Sequence, residues 1–262
     1  MLNRPRAEKL VTQLLTIPGK SGQEADVAQA IIGHLRRHEV KGMEVLFDTA
    51  NQRIPLGGNC GNLIVKLPGT KGREREARRM LMAHMDTVPI CVGCKPVKKG
   101  NLIRSDADTG LGADDRAGCA TLLTSLIEIL DNNLPHPPLT FLWCVQEEVG
   151  LMGARHVDVK KLGKPAMAFN FDGGAPSTMT LGATGAYRLT IHITGVPAHA
   201  GVHPERGVSA IAIAALAIAS LKKDGWHGLV KKGKKTGTSN VGVIRAGDAQ
   251  GTKRCQHKAK TD

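Results

Sequence analysis

Three short apolar segments, each followed at once by acidic or histidine side chains, constrain the fold of this 262-residue chain most strongly. They end in LMAHMD (81–86), FLWCVQEE (141–148) and AFNFD (168–172). Continuous apolar runs of this length, rich in β-branched and aromatic residues, are typical of strands buried on both faces. Segments with helical periodicity alternate with such strands, at 6–15, 24–38 and 115–130. The sequence therefore predicts an α/β fold with a doubly wound, mostly parallel sheet.

The pattern changes near Gly182, where a second kind of organisation begins. A strand with alternating residue types (187–194), a loop, a helix (209–222) and a last strand (240–245) follow one another. We therefore predict one domain over 1–182, a smaller α+β unit over 183–252, and a basic tail over 253–262. Segment 209–221 (SAIAIAALAIASL) is apolar almost all round, so we expect the strands of the smaller unit, or a second subunit as well, to bury it.

The net charge of +13 is concentrated at one end of the chain. Residues 222–262 contain eleven Lys or Arg against three acids, so a solvated basic loop and tail or a polyanion-binding surface would explain most of the excess. Aromatic residues make up only 3% of the chain, which argues against stacking on nucleic-acid bases. There is no apolar N-terminal signal and no apolar run of about 20 residues, so we expect a cytoplasmic enzyme without a membrane partner.

Metal-type ligands follow the three predicted strands. In open α/β sheets, binding sites form beyond the carboxyl ends of the strands, which places His84, Asp86, Glu147, Glu148 and Asp172 at one edge. The turn TGLGADDRAG (109–118) sets Asp114 and Asp115 at the start of a helix. Each residue alone has an ordinary structural explanation, such as a turn aspartate or a glutamate pair at a helix N-terminus. Together they predict one metal site with mixed nitrogen and oxygen ligands, which suits zinc, with cobalt or manganese as substitutes.

The spacing within these motifs suggests how the side chains divide the work. His84 and Asp86 are two residues apart on a strand and face the same side, so the carboxylate can orient the imidazole. Where a strand ends, one of two adjacent glutamates can bind metal while the other faces substrate. Two metal ions about 3.5–4 Å apart would share a carboxylate and activate a water molecule.

Five motifs in a fixed order, AHMDTVP, GADDRAG, EEVGLMGA, FNFDGG and TGVPAHAGVHPERGVSA, resemble the di-zinc exopeptidase and deacylase family, which includes peptidase T, the glutamate carboxypeptidases and acetylornithine deacetylase. GADDRAG followed by EEVGLMG is most similar to the peptidase T branch. The resemblance implies a zinc metallopeptidase that hydrolyses short peptides in the manner of a tripeptide aminopeptidase, binds two Zn²⁺ ions and forms a homodimer. Residues 1–182 would be its catalytic domain, and 183–252 an inserted lid or dimerisation domain through which the dimer forms. A non-catalytic remnant of the family, or a deacylase or dipeptidase acting on N-acyl amino acids, is the alternative.

The resemblance also implies a role for each matching residue. The metal ligands would be His84 and Asp172 for one zinc, Glu148 for the other, and Asp114 as the bridge. Glu147 would be the general base toward water, and Asp86 would orient His84. His199, in the lid loop, would polarise the substrate carbonyl in a neighbouring active site.

The end of the sequence departs from the family pattern. In the family, the catalytic domain resumes after the lid and supplies one more histidine to the second zinc, whereas KRCQHKAKTD (253–262) is basic and lacks alternation. His257 is a poor substitute because its surroundings are cationic. We therefore expect a chain truncated at its C-terminus relative to the family, with weak activity or none by itself.

Overall fold

Two structural units follow one another along the chain, Met1–Met179 and Thr180–Asp262. The structure is a computed structural model, and it describes residues 3–38, 40–183, 185–199, 201–246 and 256–260. The helices are α1 Arg4–Thr16, α2 Ala25–Leu35, α3 Ala50–Arg53, α4 Ala113–Asp131, α5 Met152–Arg155 and α6 Ala210–Lys223. The strands are β1 Glu44–Phe47, β2 Leu63–Leu67, β3 Arg79–His84, β4 Pro96–Lys99, β5 Leu102–Ser105, β6 Leu139–Cys144, β7 Met167–Asn170, β8 Thr190–Thr194, β9 Gly228–Lys232, β10 Lys235–Ser239, β11 Val243–Arg245 and β12 Gln256–Lys260.

A five-stranded sheet in the order β1-β2-β6-β3-β7 is the centre of the first unit. β3 runs parallel to both β6 and β7, whereas β2 is antiparallel to both β1 and β6. The α/β fold is confirmed, but the sheet is mixed rather than mostly parallel. The difference arises at the β1-β2 side, because a run of apolar residues buried on both faces has the same composition whichever way the strand points.

The long helices of this unit pack on one face of the sheet. Alternate residues of β2 and β6, among them Val65, Phe141 and Trp143, form one continuous core with side chains of α1, α2 and α4. On the other face Ile64 and Leu142 join a smaller cluster that includes Leu162, in a short 3-10 turn. In the part of the chain that is described, a doubly wound arrangement with long helices on both faces is therefore not present.

The parallel strands bring their carboxyl ends to the same edge. His84, the last residue of β3, is paired with Cys144, the last residue of β6. On the other side of β3, Met82 pairs with Asn170 at the end of β7, and Phe171 N–H donates to the Met82 carbonyl at 2.9 Å. The residues that follow these three strands consequently lie close together.

The second unit contains a three-stranded sheet in the order β11-β12-β8 and the separate β9-β10 hairpin. β12 lies within the segment predicted as a basic tail and pairs antiparallel with β8 and β11. α6 packs against β8, with only Ala210 and Ala214 buried. Ile211, Ile213 and Leu216 are exposed, so the described residues of this chain do not bury the helix as we expected. A three-stranded sheet covers one stripe of a helix, and α6 is apolar on its other faces too.

Across the described residues, we find no helix that combines the length and the apolar character needed to cross a bilayer.

Candidate metal centre

His84 is at the centre of the cluster formed by the strand-end residues. Its Nε2 lies 3.0 Å from Asp114 Oδ1, 3.9 Å from Glu147 Oε2 and 4.0 Å from Asp172 Oδ2. On the other side of the ring, Nδ1 is 3.0 Å from the Asp86 carbonyl oxygen and 3.3 Å from Asp86 Oδ1. With Nδ1 as the hydrogen-bond donor, Nε2 presents its lone pair to the cluster of carboxylates. This is the orientation of a metal-binding imidazole.

Asp86 also fixes the turn that carries the two glutamates. The backbone N–H groups of Glu147 and Glu148 donate to Asp86 Oδ1 and Oδ2 at 2.9 and 3.1 Å. Ser21 Oγ donates to Oδ2 at 2.6 Å. Burial raises the pKa of Asp86, but the hydrogen bonds from His84, Ser21 and Glu147 outweigh it and leave the pKa below the ordinary value. Asp86 is therefore an ionised acceptor that ties the end of β3 to the turn after β6.

Two groups of potential ligands share His84. One consists of His84, Asp114 and Glu148, and the other of His84, Asp115 and Asp172; in each group the ligand atoms lie within 4.8 Å of one another. Nitrogen and carboxylate oxygen ligands at such separations suit a divalent cation such as zinc. The structure thus brings His84, Asp114, Glu147, Glu148 and Asp172 together, while their individual roles stay predictions.

Asp115 is a site residue to which neither the spacing nor the family resemblance assigned a role. It is buried, and its carboxylate accepts hydrogen bonds from His84 N–H (3.1 Å) and Gly118 N–H (3.0 Å). Asp114 and Asp115 both depart from helical backbone angles, so the regular part of α4 begins after them. The second aspartate of GADDRAG was the available signal, but two adjacent acids at a helix start give no indication of which one points inward.

The charge balance of the cluster favours a bound cation. Burial would lower the pKa of His84, but the Asp86 hydrogen bond and the charges of Asp86, Asp115 and Glu147 raise it to about 10. Burial raises the pKa of Asp115 to about 7, and burial with neighbouring acids also raises the pKa of Glu147. Among the described residues, His84 is the only positively ionisable group within salt-bridge distance of these carboxylates. A divalent ion would relieve this excess of negative charge, so the donor set fits a metal.

The described residues provide one histidine for both ligand groups. The family resemblance implies a further histidine as a ligand of a second metal ion, and none of the described residues supplies it at this cluster. A pocket of about 40 Å³ borders the cluster and is lined by Met82, Cys144, Leu151 and Ala154 together with site residues. A larger pocket of about 210 Å³ lies at the opposite edge of the sheet, beside Leu67 and Leu130.

His199 belongs to the second unit, in the loop after β8, and it is exposed. Its Nδ1 accepts a hydrogen bond from Gly201 N–H at 3.2 Å. The role that we expected for His199 at a substrate carbonyl stays a prediction. His257, in β12, has a side chain that lies outside the described part of the chain.

Comparisons with known proteins place this geometry in a family. A sequence model of peptidase family M28 matches residues 62–190, which include every potential metal ligand of the cluster. The peptidase dimerisation domain model matches residues 181–257. Protein YqjE of Bacillus subtilis is 32% identical over 222 residues, which are 84% of this chain and 57% of YqjE. Peptidase T of Salmonella arizonae is 37% identical over 114 residues, which are 44% of this chain and 28% of that enzyme.

Solved structures agree. A tripeptidase from Staphylococcus aureus matches with a TM-score of 0.75 and 30% identity, covering 100% of this chain and 66% of the tripeptidase. Aminopeptidase PepT from Bacillus cereus matches with a TM-score of 0.67 and 30% identity, covering 99% and 66%. The chain thus spans about half to two thirds of the length of these structures and of YqjE, and less of peptidase T.

The fold and the cluster of candidate metal ligands agree with the architecture of these peptidases, and the chain belongs to the zinc exopeptidase family. Within this family it belongs to the peptidase T branch, as its similarity to peptidase T, the tripeptidase and PepT shows. The family predicted from the sequence motifs is therefore confirmed.

Proposed function

We propose that this chain carries the metal-binding and base-bearing part of a metallopeptidase that hydrolyses short peptides, in the manner of a tripeptide aminopeptidase. The observation that carries the proposal is the convergence of three carboxylates, from Asp114, Glu147 and Asp172, within 4.0 Å of Nε2 of one oriented, buried imidazole. The names of the related proteins, a tripeptidase and peptidase T, support short peptides as the substrate class.

His84, Asp114 and Asp172 would hold one metal ion, and Asp114 and Glu148 would be ligands of a second, with zinc as the expected metal and Co²⁺ or Mn²⁺ as substitutes. His84, Asp114, Glu148 and Asp172 would be ligands, and Asp115 lies close enough to Asp172 to join them. The bound metal would supply Lewis acidity, which polarises the peptide carbonyl and makes a water molecule more acidic.

Glu147 is the group best placed to move protons. It is half-buried, lies beside His84 Nε2 and is absent from both ligand groups. Its raised pKa brings its carboxylate closer to the range in which a base can take a proton from water and return it to the leaving amine. We propose that Asp86 orients His84 and that His199 assists at the substrate carbonyl.

Measurements of metal binding and of peptide hydrolysis on two variants would distinguish the roles of the two adjacent glutamates. We expect Glu147→Gln to retain Co²⁺ or Zn²⁺, while any peptide hydrolysis falls by about 10²–10⁴-fold. Glu148→Gln should lose metal as well, because it removes a ligand. Glu76→Gln, an exposed residue paired with Arg73, is the matched control and should change neither property.

Isothermal titration with Co²⁺ and a tripeptide hydrolysis assay, with and without chelator, measure these outcomes. Wild-type chain that binds no divalent metal would refute the proposed site. Equal loss of metal in both variants would refute the division of roles. Cleavage of N-acyl amino acids in place of tripeptides would instead support the deacylase alternative. We expect weak hydrolysis by the chain alone, so robust chelator-sensitive turnover would contradict that expectation.

A homodimer formed through the second unit is part of the proposal. The exposed apolar side chains Ile211, Ile213 and Leu216 on α6, within the match to a peptidase dimerisation domain, support it. Leu216→Glu should weaken self-association in light scattering, whereas Lys223→Glu at the end of the same helix should have a smaller effect. A wild-type chain that stays monomeric at high concentration would refute it. A cytoplasmic location also stays a proposal.

A further inference from the structure

The turn that carries Glu147 and Glu148 is held by two buried carboxylates from other segments. Gln146 N–H donates to Glu24 Oε1 at 3.0 Å, and the next two N–H groups donate to Asp86. Three consecutive backbone donors are thus satisfied by side chains rather than by a strand or helix ladder. Such an arrangement sets the direction of the chain at the point where it leaves the sheet.

Gln146 adopts a conformation that needs this support. Its φ of 52° lies in the left-handed region, which residues other than glycine seldom occupy. Gln146 is 1% exposed, and its Nε2 donates to the Gly57 carbonyl at 2.6 Å. Because Glu147 and Glu148 come next, the backbone angles of Gln146 determine where both carboxylates point. Unusual backbone conformations of this kind persist only where the surrounding contacts enforce them.

The hydrogen bonds of Glu24 and Ser21 come from the connection between α1 and α2. Glu24 Oε1 also accepts Gly22 N–H at 2.8 Å, and Ser21 Oγ donates to Asp86 Oδ2 at 2.6 Å. The same connection is tied to the end of β3, where Thr87 N–H donates to the Gly19 carbonyl at 3.1 Å. One short loop therefore supports both the residue that orients His84 and the turn with the glutamates.

The cost of burying Glu24 argues that its position is more than incidental. Glu24 is fully buried, and its Oε2 has no partner in the part of the chain that is described. A buried carboxyl group with an unpaired oxygen is unfavourable, and a serine or aspartate would serve a helix start equally well. The compensation that the structure offers is the acceptor oxygen for Gln146.

We propose that Ser21 and Glu24 are positioning residues for the metal centre. Ser21 acts through Asp86 and Glu24 acts through Gln146, and together they fix the backbone from which Glu147 and Glu148 extend. The consequence for metal binding rests on the proposed function, whereas the hold on the turn does not.

Amide hydrogen exchange of the metal-free full chain tests the hold on the turn directly. In Glu24→Ala, exchange of the peptide amides at 146–148 should be about tenfold faster, relative to the β6 amides at 139–144, because one acceptor is lost. Ser21→Ala, which removes only a hydroxyl, should accelerate exchange at 147–148 to a smaller extent. Glu24→Gln keeps the acceptor oxygen and should stay within about twofold of wild type.

Leu35→Ala is the matched stability control. It removes buried side-chain volume at the far end of α2 and touches none of these groups, so it should destabilise the unit without changing the relative exchange at 146–148. Unchanged relative exchange in both alanine variants would overturn the proposal. Glu24→Gln that exchanges as fast as Glu24→Ala would overturn the role of the acceptor oxygen.

Co²⁺ titration tests the consequence for the site. Residues that support metal ligands typically contribute 10–100-fold to metal affinity, so Glu24→Ala should weaken Co²⁺ binding by about tenfold and Glu24→Gln should restore it. Faster exchange with unchanged Co²⁺ affinity would refute positioning of the ligand. If wild-type chain bound no Co²⁺, the metal centre would fail, and the exchange data alone would decide whether the loop holds the turn.

Discussion

Replacement of Asp86 by asparagine tests how far one buried carboxylate organises this site. Asp86 is fully buried, and its two oxygens receive Ser21 Oγ, the N–H groups of Glu147 and Glu148, and His84 Nδ1 at 2.6–3.3 Å. Asparagine has the same shape but presents one acceptor oxygen and one donor NH₂ group. The Ser21 hydroxyl can rotate to accept from that NH₂ group, but a backbone N–H cannot.

One backbone N–H beside a glutamate is therefore left facing a donor in either orientation of the amide. An unsatisfied buried donor costs about 1–3 kcal/mol, and the loss of a charge-assisted bond adds about 1 kcal/mol. We expect Asp86→Asn to lower the free energy of unfolding of the first unit by about 2–4 kcal/mol.

Urea unfolding of the metal-free protein measures this loss. In a Trp226→Phe background, fluorescence of the buried Trp143 reports the first unit. Asp131→Asn is the control, because Asp131 has two ionic partners, Arg6 at 2.8 Å and His38 at 2.5 Å, but is partly exposed. It should cost less than about 1 kcal/mol. An Asp86→Asn variant that loses no more stability than Asp131→Asn would refute the reasoning.

Further predictions concern Glu24 and two helical glycines. Burial raises the pKa of Glu24 from 4.5 to about 7, so between these pH values the unfolded chain is ionised while the folded chain keeps the proton. The free energy of unfolding should therefore fall by about 3 kcal/mol as pH rises from 4.5 to 7, and Glu24→Gln, compared across that range by urea unfolding, should remove this slope. Gly118→Ala in α4 would place its Cβ 2.3 Å from Asp115 Oδ1 and 2.5 Å from the Phe171 carbonyl oxygen, so it should cost about 1–3 kcal/mol. In Gly33→Ala in α2, the new Cβ meets nothing within 4 Å, so the variant should stabilise the protein by about 0.5–1 kcal/mol. Thermal unfolding measures both variants, and equal unfolding temperatures would contradict the steric difference between the two positions.

The parts of the fold that could be predicted are those with a large apolar signal. β3, β6 and β7 were expected at the three apolar segments where they are observed, and α1 was expected within two residues of its observed bounds. β1, with the sequence EVLF, is four residues long and only half-buried, so its composition did not separate it from a loop. The hairpins β4-β5 and β9-β10 have mostly exposed or half-buried residues, many of them lysine, and backbone pairing rather than side-chain burial defines them.

The second unit shows where a composition argument fails. Segment 256–260 was expected as part of a basic tail because its lysines give no apolar alternation, yet its backbone pairs with β8 on one side and β11 on the other. A strand placed between two others gains hydrogen bonds on both edges whatever its side chains are. Such pairing depends on neighbours that are distant in sequence, so local pattern does not reveal it.

The candidate site shows the same distinction. The positions of some of its residues follow from the strand ends, and those of others depend on the tertiary structure. His84, Glu147, Glu148 and Asp172 could be grouped in advance because parallel strands bring their carboxyl ends to one edge. The spacing alone does not distinguish Asp114 from Asp115, which are identical neighbours at a helix start, and only the family resemblance indicated Asp114. The backbone of Asp114, with φ −79° and ψ 106°, leaves its side chain 72% exposed beside His84 Nε2, whereas Asp115 turns inward to accept His84 N–H. Asp115 and Glu24 accept hydrogen bonds from backbone N–H groups near the candidate ligands, and Ser21 donates one to Asp86. Such contacts become apparent only when the positions of these groups are known. The motifs alone therefore indicated the candidate ligands and the position of Asp86 beside His84, but not the contacts that Asp115, Ser21 and Glu24 make.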